Sequence, residues 1–410
     1  MNLLQDLPAQ QRRAIDLVRE VAQEKDCHPY LVGGPVRDIL LGRDTIDIDL
    51  TLEKDASTLA RALAKRLEGR VRSFPQFLTY KVIAPEFPEI DLATARKERY
   101  RKPGALPAVT AGRVKDDLLR RDFSINAIAL DLLDGEMHDP TGGAKDIEAR
   151  LVRVLHDGSF IDDPTRMFRA TRLAARLGFT LESHTAGLLR SAIEGDALST
   201  VSKERIWREL FLAMDEHEAP RILAELFGHG ALTPLFGRRG SDDLENLVTR
   251  LEAIREQLTA NPDVDRYVLY TGGLLRGDAS PVDFEGSGFS QRRARALVEI
   301  ANELPRVLEE LASAQDDRDR FRICRRVSPE MLALIAAERP EERESLERFH
   351  QYEKFRLPLR GNDLEVPGGP HIAIALEQTR EAVFNGAIPP DQARSFARAV
   401  AKRLLDEEAR

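Results

Sequence analysis

The stretch LVGGPVRDILLGRDTIDIDL, Leu31 to Leu50, holds the end of a short apolar run (Tyr30 to Val32), a glycine pair (Gly33, Gly34), Arg37-Asp38, and two acids spaced two apart, Asp47 and Asp49. Side chains two apart on a strand leave the same face, so the two carboxylates are expected to project together. A hard cation such as Mg²⁺ relieves their repulsion. The glycines let a backbone come close to a ligand, and their N–H groups can cradle a triphosphate. Alone, Gly-Gly marks a turn and Asp-x-Asp a solvated face. In this order they point to nucleotidyl transfer.

Two-metal phosphoryl chemistry calls for a third carboxylate. Asp91, in the strand-like phrase EIDLATARKE, is the candidate, and Glu89, on the same face, is the alternative. Next comes DDLLRRDFSINAIAL, where Arg120 and Arg121 suit triphosphate or primer phosphate oxygens. There Asp122 could accept from a ribose hydroxyl, or serve as N-cap of a following helix, and Asn126 offers both donor and acceptor. In FIDDPTRMFRATRLAARLGF, Asp162-Asp163-Pro164 reads as a helix start, with Asp163 and Arg166 on one helical face. A carboxylate accepting from an exocyclic amine beside a guanidinium donating to a ring acceptor fits cytosine and adenine. Guanine and uracil present the opposite order and would leave buried groups unpaired. Arg169, the next residue on that face, is placed to clamp the base or fix Asp163.

The chain of 410 residues exceeds one compact core, so two or more domains are expected. Its 42% hydrophobic and 32% charged content suits many exposed helices, and no apolar run reaches the length of a membrane span. The N-terminal segment reads as a helix and not as a signal or transit peptide. Two distant cysteines, Cys27 and Cys324, match no metal spacing and point to a reducing, cytoplasmic setting. A net charge of −8 argues against indiscriminate nucleic-acid binding. Two local basic runs, Arg96 to Lys102 and Arg113 to Arg121, flank the candidate site and favour phosphate contacts.

Periodicity predicts helices over residues 11–25, 36–41 and 56–67. Strands are expected near Tyr30, over Ile46 to Leu50, Val71 to Ser73, Thr79 to Ile83 and Ile90 to Ala95. From about residue 145 strand signals fade and helical windows follow, including Met167 to Leu177, Glu204 to Met214, Leu244 to Leu258, Arg292 to Glu309 and Gln392 to Leu405. Pro281 to Gly288 and Leu357 to Pro370 are the later breaks. The architecture expected is a small mixed-sheet domain followed by a helical array.

The phrases GGPVRD, DIDL, RRDFSINAIA, HDPTGG, DDPTRMFRATR and VSKERI, in this order through residues 31 to about 210, resemble the tRNA nucleotidyltransferase and bacterial poly(A) polymerase family of bacteria and eukaryotes. The resemblance implies an α+β fold: a polymerase-β-like nucleotidyltransferase head with a mixed sheet, then all-helical neck, body and tail. It divides the chain into a head (1–140), a neck that selects the nucleobase (141–215), a body (216–290) and a tRNA-binding tail (291–410). It implies Asp47 and Asp49 as metal ligands, and Gly33, Gly34 and Arg37 as triphosphate contacts. Asp122 and Asn126 would meet sugar and phosphates, and Asp163 with Arg166 would be the amino-acid template for CTP and ATP. Many members carry Glu-Asp where this chain has Asp162-Asp163, a departure that spares the reader pair. Tyr100 to Val109 resembles the flexible loop that helps switch from C to A addition. The implied activity is addition of C and/or A to the 3′ end of tRNA; CC-only, A-only and poly(A) variants share the head motifs. A non-catalytic RNA-binding module is disfavoured because every expected metal ligand is present.

Overall fold

The computed structural model describes residues 4, 7–44, 47–237, 244–275, 284 and 286–408. Two compact units emerge, Met1–Arg255 with Asp265–Leu297, and Glu256–Val264 with Val298–Arg410.

The first unit opens with helix α1 (Ala9–Glu24), strand β1 (Pro29–Val32), helix α2 (Gly34–Leu40), β2 (Ile48–Leu52) and α3 (Ala56–Arg66). There follow β3 (Arg70–Phe74), β4 (Thr79–Ile83), β5 (Ile90–Thr94), the hairpin β6 (Arg96–Arg99) and β7 (Ala108–Ala111), and α4 (Val114–Leu119). β8 (Ala129–Asp131) and β9 (Met137–His138) complete a seven-stranded sheet in the order β3-β4-β5-β2-β1-β8-β9. β2 and β5 run parallel, while the other neighbouring pairs are antiparallel, so the sheet is mixed.

Period-2 alternation explains why this sheet has a dry and a wet face. Ile48, Leu50 and Leu52 of β2 and Ile90 and Leu92 of β5 are buried. They lie on the side covered by the apolar stripes of α1 (Ile15, Val18, Val21) and α3 (Leu59, Ala60, Leu63). Asp55 caps α3 by accepting from the Ser57 N–H at 2.9 Å, and the Thr94 hydroxyl on β5 accepts from Ala56 N at 3.1 Å. The helix is thereby fixed to the strand whose odd-numbered residues face the other way.

Beyond the sheet the chain is mostly helical: α5 (Gly143–Glu148), α6 (Ser159–Asp162), α7 (Arg166–Leu177), α8 (Ser183–Glu194) and α9 (Lys203–Met214), then Ala219–Gly228, Leu244–Ala260 and Arg266–Leu275. Trp207 of α9 is fully buried among Phe211, Phe236, Phe284 and Phe289 and acts as a packing anchor there. In the second unit, helices Pro370–Phe384 and Ala393–Glu408 pack around Leu364, Ala375, Ala397, Val400 and Ala401. Among the described residues no helix is long and apolar enough to cross a membrane.

Several local expectations need correction. The strand placed over Ile46 to Leu50 runs over Ile48–Leu52, Ile46 lies outside the described residues, and Asp47 precedes the strand. The basic run from Arg96 is half strand: Arg96 and Glu98 turn inward and Lys97 turns out, pairing with β7. Strand character does not end at residue 145, because Leu151–Val152 and Thr180–Leu181 form a short parallel pair. Of the break at Pro281 to Gly288, residues 281–283 and 285 lie outside the described residues.

The helix expected to start at Asp162-Asp163 starts three residues later. Asp162 ends α6, Asp163 is extended (φ −137°, ψ 92°), and α7 begins at Arg166. Asp163 and Arg166 therefore do not share a helical face. Pro164 disfavours helical geometry at the residue before it, which accounts for the gap.

Candidate active site

A cavity of about 740 Å³ opens beside the wet face of the sheet and is lined by α2, the segments around Asp47 and Asp122, and α7 and α9. It gathers, of the residues singled out in the sequence, Gly34, Arg37, Asp47, Asp49, Arg120, Arg121, Asp122, Asn126, Asp163, Arg166 and Arg169. Gly33 and Asp91 are outside the lining, and each adjoins a residue of it.

Gly33 sits between β1 and α2 at φ +77°, and a Cβ there would fall 2.4 Å from an Arg121 guanidinium nitrogen. Only glycine satisfies both the left-handed backbone and the close approach. Arg121 also donates to the Asn126 carbonyl (3.3 Å) and to Asp117 (3.2 Å). Asp117, fully buried, resists the upward push of burial because Arg121 and Arg120 hold its carboxyl below the ordinary range. Arg120 is engaged by Asp117 and by Glu98, 2.8 Å from each. Of the two arginines expected to meet phosphate, Arg121 is thus the one beside the glycine turn.

A hydrogen-bonded chain crosses the cavity wall. Arg37 donates to the Asn126 side-chain oxygen (2.7 Å), Asn126 donates to Asp122 (3.2 Å), and Arg169 donates to the other Asp122 oxygen (2.5 Å). Burial pushes the Asp122 carboxyl up, but Arg169, Asn126, Arg166 and the Phe123 N–H together hold it low. Asp122 precedes a 3₁₀ turn (Ser124–Asn126), so no α-helix follows for it to cap, and Arg169 contacts Asp122, not Asp163.

Asp163 accepts from the Thr165 hydroxyl (2.7 Å) and from Arg205 (2.8 Å), and Arg205 also donates to the Gly104 carbonyl (2.8 Å). Arg166 is almost fully buried and donates to Ser159 (2.6 Å) and to the Arg120 carbonyl (3.0 Å). Two separate elements thus bring Asp163 and Arg166 to one cavity.

Asp49 and Asp91 are register partners across the parallel strands. The Asp49 carboxyl is pushed up to about 6 by burial first, then by Asp91, with Asp47 adding and Arg121 opposing. Asp49 and Asp91 thus share a face, Asp47 just before β2 is close enough to add its charge, and acids of this kind are the oxygen donors that a hard divalent cation takes. Glu89 lies just before β5 and pairs with Lys81 at 2.7 Å; Lys81 also reaches Asp91 at 3.2 Å. Among the described residues the acid–histidine group with ligand atoms all within 4.8 Å is a different one, His28, Asp131 and Asp134. There His28 binds Asp131, whose other oxygen accepts from Leu133 N at 2.8 Å, a turn-stabilising arrangement.

Arg43, Arg176 and Arg205 line the cavity without having been singled out. Arg205 stands in the quoted phrase VSKERI, but nothing in its spacing ties it to Asp163. Across the described lining nine arginines face seven carboxylates, a positive balance inside a chain of charge −8.

Residues 29–153 match the model of the Poly A polymerase head domain. An A-adding tRNA nucleotidyltransferase of Halalkalibacterium halodurans is 35% identical over 70% of this chain and 68% of that relative. Another A-adding tRNA nucleotidyltransferase, of Geobacter sulfurreducens, is 32% identical over 94% of this chain but 46% of its own length. The chain spans about half the length of the first curated relatives it matches. A solved CCA-adding enzyme in its apo form II superposes with TM-score 0.82 at 25% identity, covering 96% of both chains.

Proposed function

This chain belongs to the tRNA nucleotidyltransferase family, and on that premise we propose that it adds C and/or A nucleotides to the 3′ end of tRNA from CTP and ATP, without a nucleic-acid template. The observation that carries the reading is the single cavity that holds the glycine turn, the acid pair and the Asp163–Arg166 pair together. Membership implies divalent-cation chemistry; we take the cation to be Mg²⁺, held by Asp47, Asp49 and Asp91. An ion held there would supply a lowered pKa for the attacking 3′ hydroxyl and charge stabilisation for the triphosphate and leaving pyrophosphate.

The chain's own residues do the rest. The Gly33 and Gly34 backbone lets the triphosphate approach, and Arg121 and Arg37 offer their guanidiniums to its oxygens. The Asn126–Asp122–Arg169 chain orients the sugar. Asp163, held by Arg205 and Thr165, keeps lone pairs free to accept from the amine of cytosine or adenine. Arg166, locked by Ser159 and the Arg120 carbonyl, donates to the neighbouring ring acceptor. Residues 141–215 act as the neck, 216–290 as the body and 291–410 as the tRNA-gripping tail. The two cysteines, both unpaired, suit a cytoplasmic enzyme.

A second reading, A addition only, is favoured by the names of both relatives above. Incubating the protein and Mg²⁺ with tRNA transcripts ending at the discriminator base, at CC and at CCA separates the readings. Three-nucleotide growth of the first from CTP plus ATP, then a stop, marks complete CCA synthesis. Extension of only the CC-ended transcript, by one A, marks the specialist. An unlimited A ladder or no product at all would overturn the proposal.

A further inference from the structure

The wet face of the sheet carries a charged row of which the reaction as described uses only Asp49 and Asp91. Arg72 of β3 is the register partner of Lys81 on β4, Lys81 of Asp91 on β5, and Asp91 of Asp49 on β2. Cross-strand partners share a face, so two cations on β3 and β4 stand beside two anions on β5 and β2, and Lys81 and Asp91 meet where the sign changes. The Lys81 ammonium lies between two carboxylates, 3.2 Å from Asp91 and 2.7 Å from Glu89. Its side chain is 30% exposed, enough to move between them.

We infer that Lys81 is the resident counter-cation of Asp91, that Glu89 is the seat to which its ammonium withdraws, and that this pair sets how tightly the acid face takes a divalent cation. The inference rests on the metal reading of Asp49 and Asp91 above. With no divalent ion nearby, the ammonium relieves the repulsion between Asp91 and Asp49, register partners on adjacent strands. A dication beside Asp91 repels that ammonium, and the shorter contact to Glu89 gives it somewhere to go. Glu89 thus serves the acid face through Lys81, not as the third ligand. It also follows that Asp91 presents its oxygen to Lys81 before it presents it to a metal, in keeping with the looser gathering of the three acids.

The test is Mn²⁺ alone, without nucleotide or tRNA, titrated into the full-length protein and followed by the electron paramagnetic resonance of free Mn²⁺. K81M is expected to tighten binding by about three- to tenfold, the size of one half-exposed charge removed from beside the ion. E89Q is expected to weaken binding by about threefold, because the ammonium then has only Asp91. In the K81M background the E89Q change should have no effect, since Glu89 acts through Lys81. Unchanged or weaker Mn²⁺ binding in K81M overturns the inference. Strictly additive effects of the two changes overturn the role of Glu89. D91N separates the premise: if it binds Mn²⁺ as the unmodified protein does, the metal reading of Asp91 itself fails. If D91N weakens binding while K81M does not tighten it, the metal reading stands and the counter-cation alone is wrong.

Discussion

At Asp49 stability and function make opposite demands. Its carboxyl, pushed up to about 6 from an ordinary 3.8, takes up a proton on folding between those two pH values. In the cation-free protein this residue's contribution to stability therefore falls as pH rises through that window and stays low above it. D49N removes the burden. In EDTA at pH 7.5 it should melt higher than the unmodified protein, by up to about 2 kcal/mol, with the gap closing below pH 4. The same variant should incorporate no nucleotide; a D49N enzyme that still extends tRNA would refute the metal assignment. Asp122 has the opposite sign. Its carboxyl is held low, so the stability supplied by Arg169 is present above the ordinary carboxylate range and lost as pH falls through the lowered value. D122N should cost about 2 kcal/mol at neutral pH and converge with the unmodified protein in acid, as melts across pH would reveal.

Between β1 and α2, one glycine decides whether the loop can hold its shape. G33A puts a Cβ onto Arg121 at a left-handed backbone, a strain of about 1–2 kcal/mol before any shift of the guanidinium. Its kcat/KM for CTP should drop at least tenfold, with a melt to show that the fold persists. The junction of α6 and α7 is the second element under test. Asp163 in its extended stretch and Arg166 at the helix start are held by different partners, so their changes should separate. R166A should erode discrimination of CTP from UTP more than it raises the KM for triphosphate. Equal loss with every nucleotide would mean that Arg166 only packs α7 against Ser159.

Across the whole molecule, the only tryptophan is Trp207, buried in the first unit with the cavity. Intrinsic fluorescence therefore reports on the unit that would bind nucleotide. CTP with Mg²⁺ at about a hundred times its dissociation constant should raise that transition by about 2.7 kcal/mol. A transition that does not move would place nucleotide binding elsewhere. The negative total charge does not conflict with a proposed RNA substrate, because the cavity lining, with nine arginines against seven carboxylates, is locally positive. Binding of tRNA should still weaken steeply with added salt.

Much of this was legible in the amino acids themselves. Alternation over Ile48–Leu52 and Ile90–Thr94, the glycine turn before α2 and the apolar stripes of α1 and α3 follow from period and backbone sterics, which act within a few residues of each other. At Asp163 local spacing does not decide the structure, because Pro164 interrupts the helical period and the chain is extended there. What only the tertiary structure decided are the long-range pairings. Arg205 reaches Asp163 from forty-two residues away, Arg169 chooses Asp122, Arg120 turns to Asp117 and Glu98, and Lys81 lies between Glu89 and Asp91. A guanidinium or ammonium in a sequence shows only that a positive charge is available. Which carboxylate it meets is fixed by strand order, register and helix packing, which spacing along the chain does not encode.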